Sequence, residues 1–196
     1  MNAPVRGRPR DVSIDEDALD AARELLAAVG FDATTMQAIA VRAEVHASAL
    51  YRRWPSRIEL IEDAISPMLT IASKPPTGDL AADLRRLVRA YLRVWNSPAA
   101  RAAMPGLLAH YRSKGSNRTP EQWLPMSVRP QFVDILDAAP EGSVDPSIDP
   151  DDVFDVLLGA MLARVLVPTV IGRDRPVDRL VELTVRMLEP SREALR

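Results

Sequence analysis

In this chain Ser97-Pro98, Thr119-Pro120 and Asp149-Pro150 each put a side chain that caps helices directly before a proline, at the head of a helical pattern. A capping oxygen followed by a residue with helical φ, whose missing N–H is not needed in the first turn, marks a helix start. Pro176 marks another, and no strand-like alternation competes with the segments that follow. Helices are therefore expected near 79–96, 98–112, 120–138, 150–167 and 176–189. The composition, 47% hydrophobic but only 5% aromatic, suits interdigitating helices better than twisted sheets. The expected fold is all-α, with about nine helices.

Upstream, Ile14, Ala18, Leu19, Ala22, Leu25, Leu26 and Val29 recur at helical spacing, acids at 15–17 sit at the positive end, and Gly30 stops the run. Two short patterns follow, Thr35 to Ala43 and Ala47 to Trp54, each too short to hold unless packed on the first. Ser56-Arg57-Ile58-Glu59 reads as a capping box opening a fourth helix towards Ser73, which Pro67 either kinks or ends early. Pro75, Pro76 and Gly78 cannot extend it, so 74–78 is a linker. The organisation expected is a basic arm (1–12), a three-helix unit (13–58) and a helical body (59–196), with an acidic loop over 139–149.

Net charge is only −2, yet the charges are segregated. Arg6, Arg8 and Arg10 make the first ten residues +3, residues 33–58 are again +3, and residues 134–155 carry eight acids and no base. Such asymmetry points to a nucleic-acid-facing end and a solvated end. The absence of cysteine excludes disulfides, thiolate metal sites and cysteine nucleophiles. The two histidines, His46 and His110, stand in separate segments, so no paired metal ligands or catalytic constellation are expected, and no cofactor or enzyme activity. The basic start has no apolar stretch behind it, and the apolar run from Val156 to Ala163 is far short of the roughly 20 residues that cross a bilayer. A cytoplasmic protein without a membrane partner is the expectation.

A short second helix and a short third helix joined by a tight turn form the layout of a DNA-binding helix-turn-helix. Here the residues are Gly30-Phe31-Asp32-Ala33-Thr34-Thr35-Met36-Gln37-Ala38-Ile39-Ala40, then Ala43-Glu44-Val45-His46, then Leu50-Tyr51-Arg52-Arg53-Trp54-Pro55-Ser56-Arg57-Ile58-Glu59-Leu60. This pattern, about a quarter of the chain, resembles the tetracycline-repressor (TetR) family. Ile39, Ala40, Val45 and Leu50 read as the small core that sets the angle between the two helices. Thr35 is placed to cap the second helix, where free N–H groups can also seat a phosphate. The resemblance implies DNA contacts from Thr35, Gln37, His46, Ala47, Ser48, Tyr51, Arg52, Arg53 and Arg57. Tyr51 would face a phosphate or else pack on Trp54. Ser48 and the neighbouring alanines would meet base edges, at least one of Arg52 and Arg53 would reach a phosphate or guanine, and Arg57 would hold the backbone.

Two residues depart from the family pattern. Glu44 stands where glycine usually makes the turn, so a positive φ there carries strain of roughly 1–2 kcal/mol. His46 replaces a serine or threonine, which weakens the cap of the third helix and leaves either a pH-sensitive contact or a merely exposed histidine. The arm with Arg6, Arg8 and Arg10 can lie in an A·T-rich minor groove, or be a tail with incidental charge.

By resemblance, the last two helices pair with their copies in a homodimer. Their apolar stripes are Val153, Val156, Leu157, Ala160, Met161 on one and Leu180, Val181, Thr184, Val185, Leu188 on the other, and an ordinary core accounts for the stripes equally well. Tyr91, Trp95, Met104, Leu108, Tyr111, Trp123, Met126 and Phe132 are large or adaptable enough to line a cavity for a small apolar or amphipathic effector, or to be core. The expected function is a repressor that binds a palindromic DNA operator under ligand control. The competing reading is a helical ligand-binding or adaptor protein without DNA activity, which the basic arm and Arg52, Arg53 and Arg57 disfavour.

Overall fold

The computed structural model describes residues 12–65, 74–115, 118–123, 127–167 and 176–190. Among them the chain is helical, with no strand. The helices are α1 (Val12–Ala33), α2 (Met36–Arg42), α3 (Ala47–Tyr51), α4 (Arg57–Ile65), α5 (Leu80–Trp95), α6 (Pro98–Lys114), α7 (Pro120–Trp123), α8 (Arg129–Asp137), α9 (Pro150–Leu166) and α10 (Val177–Leu188). No helix among the described residues is long and apolar enough to cross a membrane.

The helix starts read from sequence have physical counterparts. Ser97 accepts from the N–H of Ala100 at 3.3 Å, and Asp149 from that of Asp151 at 2.9 Å. α1 continues to Ala33, but at Gly30 its backbone leaves the helix (φ 82°, ψ −179°), so the expected stop is a sharp break followed by one more turn. The single helix expected over 120–138 is divided into α7 and α8. Pro125 falls between them, where a continuous helix would lose a hydrogen bond and clash, while Pro130 is tolerated in the first turn of α8. The acidic stretch after α8 is the expected loop, tied to the end of α10 by the Asp145 N–H on the Leu188 carbonyl at 2.8 Å.

Three apolar clusters run the length of the molecule. In the head, Ala18, Ala21 and Ala22 of α1 let α2, α3 and α4 approach closely around Ile39, Leu50, Trp54 and Leu60. At the junction, Leu26 of α1 and Ile61 and Ile65 of α4 meet Ala99, Ala100, Ala103 and Leu107, one face of α6. The body centres on Leu84, Val88, Phe132, Leu157, Met161 and Leu188. α4 is common to head and junction, since its Leu60 and Ala64 pack in the first and its Ile61 and Ile65 in the second.

Candidate nucleic-acid interface

Backbone chemistry fixes the α2–turn–α3 unit. The buried Thr34 hydroxyl closes on the Gly30 carbonyl at 2.7 Å, and the next residue, Thr35, caps α2 by accepting from the Ala38 N–H at 3.1 Å. α2 ends in a tight turn in which the Val45 N–H returns to the Ala40 carbonyl at 2.9 Å. The turn places Glu44 at φ 55°, the one non-glycine positive φ among the described residues, as its sequence position implied. His46 precedes α3 in extended conformation and makes no side-chain cap.

Five residues cannot hold a helix alone. α3 is held because Ala49 and Leu50 are buried and Trp54 plugs the end beyond it. What remains outward on and beside α3 is His46, Ser48, Tyr51 and Arg52, with Ala47 half-buried. Ser48, Tyr51 and Arg52 follow the three- and four-residue spacing of one helical face. Tyr51 is 57% exposed and does not pack away on Trp54. Thr35 and Gln37 are exposed at the start of α2. The arm arginines Arg6, Arg8 and Arg10 lie outside the described residues, as do Pro67, Met126 and the Trp123 side chain.

The other cations are engaged within the protein. Arg53 forms an ion pair with Asp15 at the start of α1 and also donates to the Ala49 carbonyl at 3.2 Å, with its side chain only 12% exposed. It braces the end of α3 against α1. Arg42 is paired with Glu24 of α1 at 2.5 Å. Arg57 donates to the Phe31 carbonyl at 2.8 Å and, at 3.4 Å, to those of Asp32 and Thr34, with its guanidinium 4.4 Å from the Phe31 ring centre. The Arg57 side chain thus collects carbonyls where α1 ends. Of the arginines behind the local +3 over 33–58, Arg42 and Arg53 are paired with acids of α1 and Arg57 is held by carbonyls, which leaves Arg52 without a partner among the described residues.

The opposite side of α4 carries polar groups that sequence reasoning missed. Glu62 is 3% exposed and accepts from the Tyr111 hydroxyl at 2.8 Å and the Arg118 Nε at 2.6 Å. Arg118 also reaches Asp63 at 2.7 Å and the Glu59 carbonyl at 3.2 Å, while Asp63 accepts from the Trp54 indole at 2.8 Å. A continuous set of bonds therefore joins the residue that closes α3 to α6. Burial, reinforced by Glu62, pushes the Tyr111 phenol well above its ordinary range. Burial works against the Arg118 charge, but its carboxylate partners outweigh it and hold the proton more tightly.

The expected cavity residues divide. Tyr91 lines a concavity of about 330 Å³ between residues 74–76, α5 and α8. Met104 and Phe132 are buried core, the latter 5.6 Å from the Phe154 ring, and Tyr111 is engaged by Glu62. Leu108 is half-buried, and Trp95 spans body and junction with its buried indole N–H unpartnered among the described residues. None of these other residues lines the Tyr91 concavity.

The dimer stripe also needs correcting. Val153, Leu157, Met161, Leu180, Val181, Thr184 and Leu188 are all buried in the chain's own core, so they have no surface to offer a second copy. Val156 is 55% exposed, and Ala160 and Val185 are half-buried. The large apolar side chains turned outward nearby are Leu183 (45%) and Met187 (39%) of α10, neither of them in the expected stripe. Gly159, beside Val156, has open space where a side chain would stand.

Comparison with known proteins places these features in a wider set. Residues 18–64 match the family model of bacterial regulatory proteins of the tetR family, and residues 74–184 match a tetracycline repressor-like C-terminal domain. An uncharacterised HTH-type transcriptional regulator of Mycobacterium tuberculosis is 28% identical over 192 residues, 91% of each chain. Another, from Bacillus subtilis, is 35% identical over 83 residues, 42% of this chain and 41% of its own. A TetR-family regulator from Haemophilus influenzae superposes with a TM-score of 0.60 at 16% identity, covering 93% of this chain and all of that one.

Proposed function

This chain belongs to the TetR family of helix-turn-helix transcriptional regulators, and from that premise we propose that it is a dimeric repressor whose hold on a palindromic operator is set by a small amphipathic effector. The observation that carries the DNA half of this reading is the α2–turn–α3 unit, with Ser48, Tyr51 and Arg52 on the outward face of α3 and Thr35 and Gln37 at the start of α2. Arg52 contacts phosphate or a guanine edge, Tyr51 a phosphate, and Ser48 with Ala47 the bases. Arg53 and Arg57 act through position: they set the angle of α3 and the end of α1. The arm of residues 1–12 adds a minor-groove contact.

One helix of five residues reads too little sequence to be specific, and two copies related by a two-fold axis double it. Val156 and Ala160 of α9 and Leu183 and Met187 of α10 supply the shared surface. The body from α5 onward receives the effector. Residues 13–58 act as the reading head, carried on α4.

DNA fragments selected from a random pool by the purified chain, then footprinted, test this reading. The expected result is an inverted repeat with half-sites about 34–36 Å apart, or a multiple of that spacing. Deletion of residues 1–10 should weaken sites with A·T-rich flanks most. An asymmetric footprint indifferent to that deletion contradicts both the dimer docking and the role of the arm.

A further inference from the structure

Two concavities meet along α5. The first, the cavity beside Tyr91, has walls of Leu87, Ala90, Val128 and Ile135, and the 3% exposed Tyr91 has no hydrogen-bond partner among the described residues. The second, about 390 Å³, is bounded by Lys74, Arg85, Arg86, Arg89 and Arg93 with two alanines and no carboxylate. Lys74, Arg86 and Ala90 line both, so the apolar and cationic spaces adjoin.

The charge on the second side is only partly compensated. Asp178 of α10 takes Arg85 at 2.5 Å and reaches Arg89 at 3.7 Å. Arg86 is bound to Asp83 at 2.8 Å and to the Pro75 carbonyl at 3.0 Å. Lys74 and Arg93 have no carboxylate partner among the described residues. The acids that line the first space, Asp83 and Asp134, do not line the second, and Asp83 is 1% exposed and already bonded to Thr77, Gly78 and Arg86.

We propose that the two spaces together bind an amphipathic organic anion, its apolar part beside Tyr91 and Leu87 and its phosphate or carboxylate head against Lys74, Arg89 and Arg93. This rests on the proposed ligand control and names the chemistry of the effector. The site also gives the ligand a handle on the DNA-reading end. Lys74, Pro75 and Pro76 border the cavity and belong to the segment between α4 and α5, and Asp83 pins that segment through the Thr77 N–H at 2.6 Å and hydroxyl at 2.9 Å.

Calorimetric titration of the full chain with octyl phosphate, octanoate, 1-octanol and octylammonium tests the proposal. Both anions should bind about tenfold or more tightly than octanol, and octylammonium most weakly. Arg89→Ala with Arg93→Ala, both exposed positions, should abolish that preference while leaving the octanol isotherm unchanged. Arg89→Lys with Arg93→Lys should retain most of it. Octanol binding as tightly as the anions, or a preference that survives the double alanine change, overturns the proposal. So does an absence of binding by all four in protein that still holds its selected DNA, a result that leaves the DNA reading intact. Co-sedimentation with phosphatidylglycerol vesicles without binding of soluble octyl phosphate would assign the charge to a lipid surface instead and equally overturn it.

Discussion

Glu44 sits in the left-handed region because the turn between α2 and α3 leaves it no other backbone. A Cβ there costs roughly 1–2 kcal/mol, of which glycine's extra freedom in the unfolded chain returns part. Glu44→Gly should therefore raise stability by about 0.5–1 kcal/mol in denaturant unfolding, whereas Glu44→Ala, which keeps the strain, should gain little. The two arginines at the head should separate in a second experiment. Arg52→Ala should flatten the slope of log affinity against log salt by about one unit. Arg57→Ala, which removes the charged donor from the Phe31 carbonyl and leaves it only the longer bond from the Thr34 N–H, should instead cost roughly 1–3 kcal/mol of stability. Equal salt slopes for wild type and Arg52→Ala would remove Arg52 from the phosphate contacts. Phe31 matters for a further reason: a Cβ on Gly106 of α6 would stand 2.2 Å from its ring, so Gly106→Ala must displace the Phe31 side chain or the helix against it.

At the scale of elements, α4 is held between the head and α6 by apolar packing and by the Glu62–Arg118 pair. Removing Arg118 leaves the buried Glu62 carboxylate without a counter-charge, held only by the neutral Tyr111 hydroxyl among the described residues, so Arg118→Met should cost roughly 3–5 kcal/mol, and adding Glu62→Leu should restore much of it. If the double change is no better than the single one, the charge pair is not what the site depends on. The phenols of Tyr91 and Tyr111 are both raised by burial. A raised folded value means stability that is present below the unfolded value of about 10 and lost as pH rises above it. Tyrosinate absorbance from these two residues should thus appear only with alkaline unfolding. Asp83 has the opposite sign. Burial pushes its carboxyl up, but the bonds from Thr77 and Gly78 and the Arg86 charge outweigh this and hold it below its ordinary value. Its contribution is present above an unfolded value of about 3.9 and lost as pH falls through the lower folded one, and Asp83→Asn should remove that acid sensitivity.

At the scale of the molecule, what could be read from sequence is what local chemistry decides. The Gly30 break, the Thr35 cap and the starts of α6 and α9 each depend on a few adjacent residues, whereas the positive φ of Glu44 was implied only by the family resemblance. Pairings across the fold could not be read that way. Arg53 finds Asp15 38 residues away, and Arg118 finds Glu62 across 56, with nothing in either neighbourhood to name the partner. Most of the expected dimer stripe falls on the buried side for a related reason. α9 is apolar on nearly every side from Val153 to Leu166, so its sequence does not say which side meets its own core and which a second copy. Val156→Asp or Met187→Asp should accordingly give folded monomers in sedimentation, while Leu180→Asp should unfold the chain. A folded wild-type monomer at micromolar concentration would remove the dimer.

The claim on which the rest depends is that α3 reads DNA sequence, and it is tested most directly by anisotropy titration of the purified dimer against its selected duplex and a base-swapped duplex of equal length at one salt concentration. The expected ratio of affinities is about 10³ or greater, falling sharply when Ser48 and Tyr51 are both replaced by alanine, with the weaker, salt-dependent affinity for the swapped duplex largely retained. Equal affinity for the two duplexes, or a ratio untouched by those replacements, would contradict it.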